Sequence, residues 1–148
     1  LIDIYIPASS KHPKLRIRKN GDKYEITKKE PVNDGDASHQ KEQTIQLTES
    51  EFNELSELEG KRIHKLRYLY EYNGKTAEFD VFQGDLKGLV VIDFEFDSIE
   101  EKDLFEMPDF CLVDITQEDF IAGGMLCGKK YSDISNDLKR FDYQKLTF

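Results

Sequence analysis

The sequence has no apolar run long enough to cross a membrane. Its longest, Leu89–Ile92, falls far short of the roughly 20 apolar residues that a spanning helix needs. It also shows no signal peptide, because a charged start, an apolar stretch and a small-residue cleavage site are all missing. We therefore expect a cytoplasmic protein with no membrane partner.

Cysteine is also scarce. Only Cys111 and Cys127 occur, in apolar or Gly-rich surroundings, and no histidine stands at metal-ligand spacing from either. We expect both to be reduced thiols, as is usual for a cytosolic protein.

Positive charge is in deficit, with 21 basic and 30 acidic residues and a formal net charge of −9. Binding to nucleic acid needs a broad basic surface, so we expect no nucleic-acid partner. A local cationic pocket stays open. The 148 residues, 38% of them hydrophobic, are enough for one compact domain, 1–148, and too few for two.

Alternating apolar residues, punctuated by turn residues, predict about seven strands. The segment Glu30–Gln40 is rich in turn residues and has little to bury, so it predicts a flexible loop. The predicted strands are Leu1–Ile6, Leu15–Arg18, Lys23–Lys29, Glu42–Leu47, Arg62–Tyr72, Lys75–Phe82 and Leu89–Phe96.

Short helices are predicted between and after the strands. Thr48 and Glu51 form a capping-box pattern ahead of a stripe of Phe52, Leu55 and Leu58, which predicts a core-facing helix that ends at Gly60. The other predicted helices begin at Ser98 and end near Pro108, or span Glu118–Met125 and Tyr131–Phe141.

Charges are arranged in like-signed pairs along the predicted strands. Side chains at positions i and i+2 of a strand share a face, and the residue between them points the other way. Each of these strands therefore has one apolar face and one face charged with a single sign. The pairs are Arg16 with Arg18, Lys65 with Arg67, Glu78 with Asp80, and Asp93 with Glu95.

A sheet with one solvated face alternates in the same way, and this is the plainer interpretation of any single strand. Solvated faces usually mix charges, however, since adjacent like charges repel. Asp93 and Glu95 also lie in the most apolar strand, where unpaired carboxylates would be costly without a cation or a metal. The set favours closure into a barrel, in whose lumen basic side chains bind phosphate and carboxylates hold Mg²⁺ or Mn²⁺.

The order of these motifs resembles that of the CYTH, or triphosphate tunnel, family. Lys65–Arg67, Glu78–Asp80 and Asp93–Glu95 resemble its Lys-x-Arg, Glu-x-Asp and Glu-x-Glu strands. Earlier and later matches are Leu15–Arg18 to its Arg-x-Arg strand, Thr27–Lys29 to its Thr-x-Lys strand, Glu42 to its next acidic position, and Val113–Thr116 to its Glu-Val-Thr segment.

The resemblance implies an α+β fold, an antiparallel β-barrel tunnel with short flanking helices, that hydrolyses an inorganic or organic triphosphate with Mg²⁺ or Mn²⁺. It implies that Tyr5 and Lys29 pair to accept a proton from the attacking water. The implied triphosphate-binding residues are Arg16, Arg18, Lys29, Lys65 and Arg67. The implied metal-binding residues are Glu42, Asp80, Asp93 and Glu95, with Glu78 in support.

Two segments depart from the family pattern. The family's Glu-x-Glu-x-Lys strand is absent, and Leu1–Ile6 resembles its second strand. Either an N-terminal segment precedes this sequence, or the protein lacks part of its metal site. Phe120–Gly128 replaces a Tyr-containing helix, and we interpret it as a packed Gly-rich helix or turn.

Four functions stay open from the sequence, with a triphosphatase favoured. The others are a class IV-type adenylate cyclase, a catalytically silent triphosphate- or polyphosphate-binding module, and a structural barrel with a charged surface. A homodimer also stays open.

Overall fold

The computed structural model describes residues 1–33 and 35–147. Within them lie seven strands and four short helices, and every pair of adjacent strands is antiparallel. The strands are β1 (Ile2–Ile6), β2 (Leu15–Asn20), β3 (Lys23–Asn33), β4 (Asp36–Leu47), β5 (Lys61–Tyr72), β6 (Lys75–Phe82) and β7 (Val90–Phe94). The helices are α1 (Glu49–Leu55), α2 (Ile99–Leu104), α3 (Gly123–Leu126) and α4 (Tyr131–Lys139).

The chain falls into two compact units. The first comprises Leu1–His64 and Ile115–Lys129, and the second comprises Lys65–Asp114 and Lys130–Phe148. Strand β5 starts in the first unit, where the strand order is β4-β3-β2-β1-β5, and continues in the second, where the order is β5-β6-β7. The antiparallel α+β class with short helices is therefore as predicted.

A row of isoleucines builds the core of the first unit. Ile4 lies opposite Ile17 and Ile17 opposite Ile26 in adjacent strands, whereas Ile45, opposite Ile26 in β4, is 67% exposed and lies outside the core. Ile4 and Ile17 are fully buried and pack with Phe52 of α1. Because side chains alternate across a strand, the residues on either side of this row point to the opposite face of the sheet. That opposite face carries the charges.

Helix α1 begins with the predicted capping box. The Thr48 hydroxyl accepts from the backbone N–H of Glu51, and the Glu51 carboxylate accepts from the backbone N–H of Thr48. The helix ends at Leu55, earlier than predicted. Leu58 is 54% exposed, so its assignment to the core stripe was wrong.

The predicted loop Glu30–Gln40 was also wrong, apart from Asp34, which lies outside the described residues. Strands β3 and β4 continue through most of it, with Glu30 opposite Lys41 and Pro31 opposite Gln40. Pro31 is tolerated because β2 pairs with β3 only as far as Lys28, so the N–H side of β3 at Pro31 has no strand partner to lose.

Close packing explains the Gly-rich segment Phe120–Gly128. The predicted helix over Glu118–Met125 is instead a 3₁₀ turn, Asp119–Ile121, followed by α3. A Cβ at Gly123 would lie 2.0 Å from the Tyr5 hydroxyl oxygen, and one at Gly124 would lie 2.5 Å from the Pro13 carbonyl oxygen. The interpretation of a packed Gly-rich turn is confirmed.

Aromatic rings and α4 build the second unit. Phe110 packs against Tyr70, Tyr72 and Phe79, with ring centroids 5.2–6.0 Å apart. Ile134 and Leu138 of α4 are buried. Strand β7 is shorter than the predicted strand Leu89–Phe96.

Both Cys111 and Cys127 are free thiols, as predicted. None of the helices within residues 1–33 and 35–147 has the length and apolar character that crossing a membrane would require.

Candidate functional site

In the first unit, a buried carboxylate holds one arginine of the Arg16/Arg18 pair. Asp3 and Arg18 lie opposite each other in β1 and β2. Arg18 donates from Nε to Asp3 Oδ1 at 2.7 Å and from Nη2 to Asp3 Oδ2 at 2.8 Å, a bidentate pair. Asp3 is only 1% exposed, so its charge is compensated by this contact rather than by water.

Arg16 is held more loosely. Its Nε lies 3.8 Å from Asp3 Oδ1, and its Nη2 lies 3.7 Å from Glu25 Oε1. The Arg16 side chain is 16% exposed. Its Nε is shielded from solvent and has no hydrogen-bond partner among the described residues. A buried N–H without an acceptor is costly, and an anionic ligand would remove that cost.

Tyr5 lies opposite Arg16 in the sheet and is buried. Burial, with the Asp3 charge as the next cause, raises the pKa of Tyr5 to about 12, although Arg16 and Arg18 oppose the shift. This environment favours the neutral phenol, which donates a proton in a hydrogen bond more readily than it accepts one. The role of Tyr5 as a proton acceptor stays a prediction, and its surroundings do not favour it.

Lys29 and Glu42 lie opposite each other in β3 and β4, where both are solvent-exposed. Lys29 Nζ is 3.9 Å from Glu42 Oε2, a distance at which an exposed ion pair contributes little. The same face carries Thr27 and Thr44, whose hydroxyl oxygens lie 2.9 Å apart. The roles predicted for Lys29 and Glu42 stay predictions.

In the second unit, Asp80 holds both members of the Lys65/Arg67 pair. Arg67 donates from Nε to Oδ1 at 2.6 Å and from Nη2 to Oδ2 at 2.7 Å, and Lys65 Nζ donates to Oδ2. Asp80 is 1% exposed and Lys65 is 8% exposed. Burial would raise the pKa of Asp80, but the hydrogen bonds and charges of Arg67 and Lys65 outweigh it and hold that pKa below its ordinary value.

The other acidic residues of the second unit are more accessible. Glu78 Oε2 lies 2.6 Å from Arg67 Nη1, and Glu78 faces Asp93 in the register of β6 and β7. Burial, with the charges of Glu95, Asp93 and Asp80, raises the pKa of Glu78, whereas Arg67 opposes the shift. Asp93 and Glu95 are exposed, which corrects the expectation that their strand would bury them. Their desolvation therefore gives no argument for a metal.

The predicted metal ligands have suitable donor atoms but, within the described residues, do not converge on one point. Carboxylate oxygens are the right donors for Mg²⁺ or Mn²⁺. In the part of the chain that the structure describes, however, no group of three or more His, Cys, Asp and Glu side chains converges closely enough to hold a metal ion. Asp80 already accepts from two cations through both of its oxygens. The described residues thus do not form a metal site among themselves, and Mg²⁺ or Mn²⁺ stays a prediction.

Sequence reasoning missed Asp3, the most buried charge of the first unit. The signal was available, because Asp3 interrupts the apolar strand Leu1–Ile6, and a carboxylate there needs a cation. The strand register that brings Asp3 opposite Arg18 was not available from sequence. Glu25, which faces Arg18 in the register and approaches Arg16, was missed for the same reason.

Comparison with known proteins agrees with this picture. The profile of the CYTH domain matches residues 1–109. Over 116 residues the chain is 31% identical to an inorganic triphosphatase of Nitrosomonas europaea, covering 77% of this chain and 74% of that protein.

Two crystal structures are similar in fold. One is of an inorganic triphosphatase, with a TM-score of 0.58, 26% identity, and coverage of 85% of this chain and 79% of that one. The other is of the same protein, described there as hypothetical, with a TM-score of 0.60, 27% identity, and coverage of 87% of this chain and 84% of that one. The antiparallel sheet, which carries the paired charges, is thus of the type found in these structures. The chain belongs to the CYTH domain family.

Proposed function

We propose that this protein is a triphosphatase, a phosphoanhydride hydrolase whose first candidate substrate is inorganic triphosphate. The observation that carries the proposal is the solvent-shielded Arg16 Nε, which has no hydrogen-bond partner among the described residues. Membership of the CYTH family and the similarity to an inorganic triphosphatase support the same substrate class. The partner is therefore a small molecule, and we treat residues 1–148 as one CYTH-like domain of a cytoplasmic protein.

Each basic pair offers cations that would bind and neutralise phosphate oxygens. Arg16 and Arg18 in the first unit, and Lys65 and Arg67 in the second, carry side chains that are only 10–16% exposed. Cations that are partly withdrawn from water interact more strongly with phosphate oxygens than exposed ones do. Phosphoryl transfer needs little covalent chemistry from the protein, so positioning and charge neutralisation supply most of the rate.

A divalent metal, if bound, would add further neutralisation of the phosphate oxygens. In the second unit, the exposed carboxylates of Asp93 and Glu95 would hold it, with the half-buried Glu78 facing Asp93. The adenylate cyclase alternative is decided by product analysis from ATP.

The test is phosphate release from tripolyphosphate, with Mg²⁺ or Mn²⁺ present, by wild type and by Arg16→Ala. We expect kcat/KM to fall by about 10²-fold in Arg16→Ala, since loss of one charge-stabilising donor costs that much in other enzymes. The control is Arg140→Ala, which removes an exposed arginine of α4's end and should leave the rate unchanged. Equal rates for wild type and Arg16→Ala would contradict the proposal.

A second candidate is a binding module without turnover. The observation that favours it is the dispersal of the carboxylates, which form no metal cluster within residues 1–33 and 35–147. Calorimetric binding of tripolyphosphate without phosphate release would support it. Release at a rate that depends on Arg16 would exclude it.

A further inference from the structure

Each unit contains one buried aspartate opposite the second residue of a basic pair. Asp3 faces Arg18 in the β1–β2 register, and Asp80 faces Arg67 in the β5–β6 register. Both aspartates are 1% exposed. In both, the arginine Nε donates to Oδ1 and Nη2 donates to Oδ2, at 2.6–2.8 Å.

The carboxylate of each aspartate also approaches the side chain of the first member of the basic pair. Asp3 Oδ1 lies 3.8 Å from Arg16 Nε, and Asp80 Oδ2 accepts from Lys65 Nζ. One carboxylate therefore stands between two cations that share a strand face and would otherwise repel each other. Its hydrogen bonds limit the rotamers of Arg18 in the first unit and of both Lys65 and Arg67 in the second, and its charge attracts Arg16.

The stability of the fold alone does not require a buried aspartate between two cations. Well-packed apolar residues are often as stabilising as a buried ion pair, because withdrawing charges from water is costly. A function that needs partly buried cations in fixed positions does require it. Cations oriented before an anion arrives lose less side-chain freedom when it binds.

We propose that Asp3 and Asp80 are positioning residues, each of which holds a basic pair, Arg16/Arg18 or Lys65/Arg67, in the conformation that binds the triphosphate. The inference rests on the proposed function. It assigns Asp80 to the cations rather than to a metal, since both of its oxygens already accept N–H groups. Neither aspartate is a catalytic residue, because each acts through its cations.

The experiment is a double-mutant cycle on kcat/KM for tripolyphosphate hydrolysis, with Asp3→Asn, Arg18→Gln and the double variant. Rates are measured below the unfolding transition of every variant. We expect Asp3→Asn to lower kcat/KM by about 10- to 100-fold in wild type, because small misplacement of a binding group costs that much. In the Arg18→Gln background the same substitution should change kcat/KM by less than about threefold, because the partner that Asp3 holds by hydrogen bonds is already lost and only the 3.8 Å contact to Arg16 remains.

The matched control is Asp22→Asn, the same chemical change at an exposed position of the β2–β3 turn. It should leave kcat/KM unchanged. An Asp3→Asn effect below twofold in wild type, or one of equal size in both backgrounds, overturns the positioning role. A merely structural role predicts the second of these results.

One further variant and a second double-mutant cycle keep the test decisive if Asp3→Asn does not fold. Arg18→Lys keeps the charge but cannot form the bidentate pair, and we expect a loss of kcat/KM of about tenfold in a folded protein. Asp80→Asn with Arg67→Gln repeats the cycle in the second unit. Arg18→Lys at wild-type kcat/KM overturns the inference.

Failure of the inference is distinguishable from failure of the proposed function. Active wild type with an unaffected Arg18→Lys rejects only the positioning role. Wild type that neither binds nor hydrolyses tripolyphosphate rejects the proposed function, and the inference with it.

Discussion

The two units use the same pairing of a buried aspartate with two cations, but they differ in how completely the pairing is made. In the second unit Asp80 accepts hydrogen bonds from both Lys65 and Arg67. In the first unit Asp3 binds only Arg18 at hydrogen-bond distance, and Arg16 Nε is left without a partner among the described residues. The cations of the second unit are therefore held chiefly by protein, whereas Arg16 Nε is still able to donate to a ligand.

The largest expected effect is on the completed cluster. Asp80→Asn removes the buried negative charge that accepts from both Lys65 and Arg67, so we expect a loss of about 3–5 kcal/mol in the free energy of unfolding. Asp3→Asn should cost less, because only one cation is tightly bound. Urea unfolding at neutral pH measures both, with Asp22→Asn as the unaffected control. A larger loss for Asp3→Asn would reverse the comparison.

Alkaline pH should weaken the first unit through Tyr5. Its folded pKa of about 12 lies above the ordinary value of 10.0, so the neutral phenol contributes stability below pH 10. That contribution, on the order of 2–3 kcal/mol, is lost as the pH rises from about 10 to 12. Urea unfolding at several pH values measures it.

Tyr5→Phe should flatten this alkaline decline, whereas Tyr143→Phe in the second unit should leave the Tyr5 contribution in place. Burial also raises the pKa of Tyr143, but its hydroxyl accepts from the Val90 backbone N–H, which opposes the shift. An equally steep decline in Tyr5→Phe and wild type would contradict the environment assigned to Tyr5.

The contact between α3 and Tyr5 gives a smaller effect in the first unit. Gly123→Ala places a Cβ 2.0 Å from the Tyr5 hydroxyl oxygen, so one of the two must move. We expect a loss of about 1–3 kcal/mol, the usual cost of overpacking. Removing the hydroxyl with Tyr5→Phe should recover most of it. If the losses in the free energy of unfolding caused by Gly123→Ala and Tyr5→Phe simply add in the double variant, the contact between the two residues is refuted.

The smallest expected effect is that of Arg16 on stability. Its contacts to Asp3 and Glu25 exceed 3.6 Å, so Arg16→Ala should change the free energy of unfolding by less than about 1 kcal/mol. Arg18→Ala should cost more, because it removes both hydrogen bonds to the buried Asp3 and leaves only the 3.8 Å contact to Arg16. Equal losses would mean that the two arginines are held alike.

Much of the fold was predictable because local patterns decide it. The Asn73–Gly74 turn between β5 and β6, the capping box of α1 and the like-signed pairs all depend on nearby residues. The loop over Glu30–Gln40 was mispredicted because its turn residues determine only the tip of a hairpin, while strand pairing extends both arms.

The site was less predictable because it depends on register. The sequence shows that Asp80 shares a face with Glu78, but only pairing with β5 brings Asp80 to Lys65 and Arg67. Asp93 and Glu95 lie in an apolar segment, yet burial depends on what covers a face, and these two are exposed. No role was predicted for Asp3 because the sequence does not show that β1 pairs with β2 so that Asp3 lies opposite Arg18.

The most direct test of the account is equilibrium binding of tripolyphosphate by calorimetry, compared between wild type, Arg16→Ala and Arg140→Ala. The account predicts that Arg16→Ala weakens binding at least about tenfold, the loss of one charge-assisted contact, while Arg140→Ala binds as wild type does. Equal affinity for wild type and Arg16→Ala would show that Arg16 does not bind the phosphates, and would contradict the proposed role of its Nε.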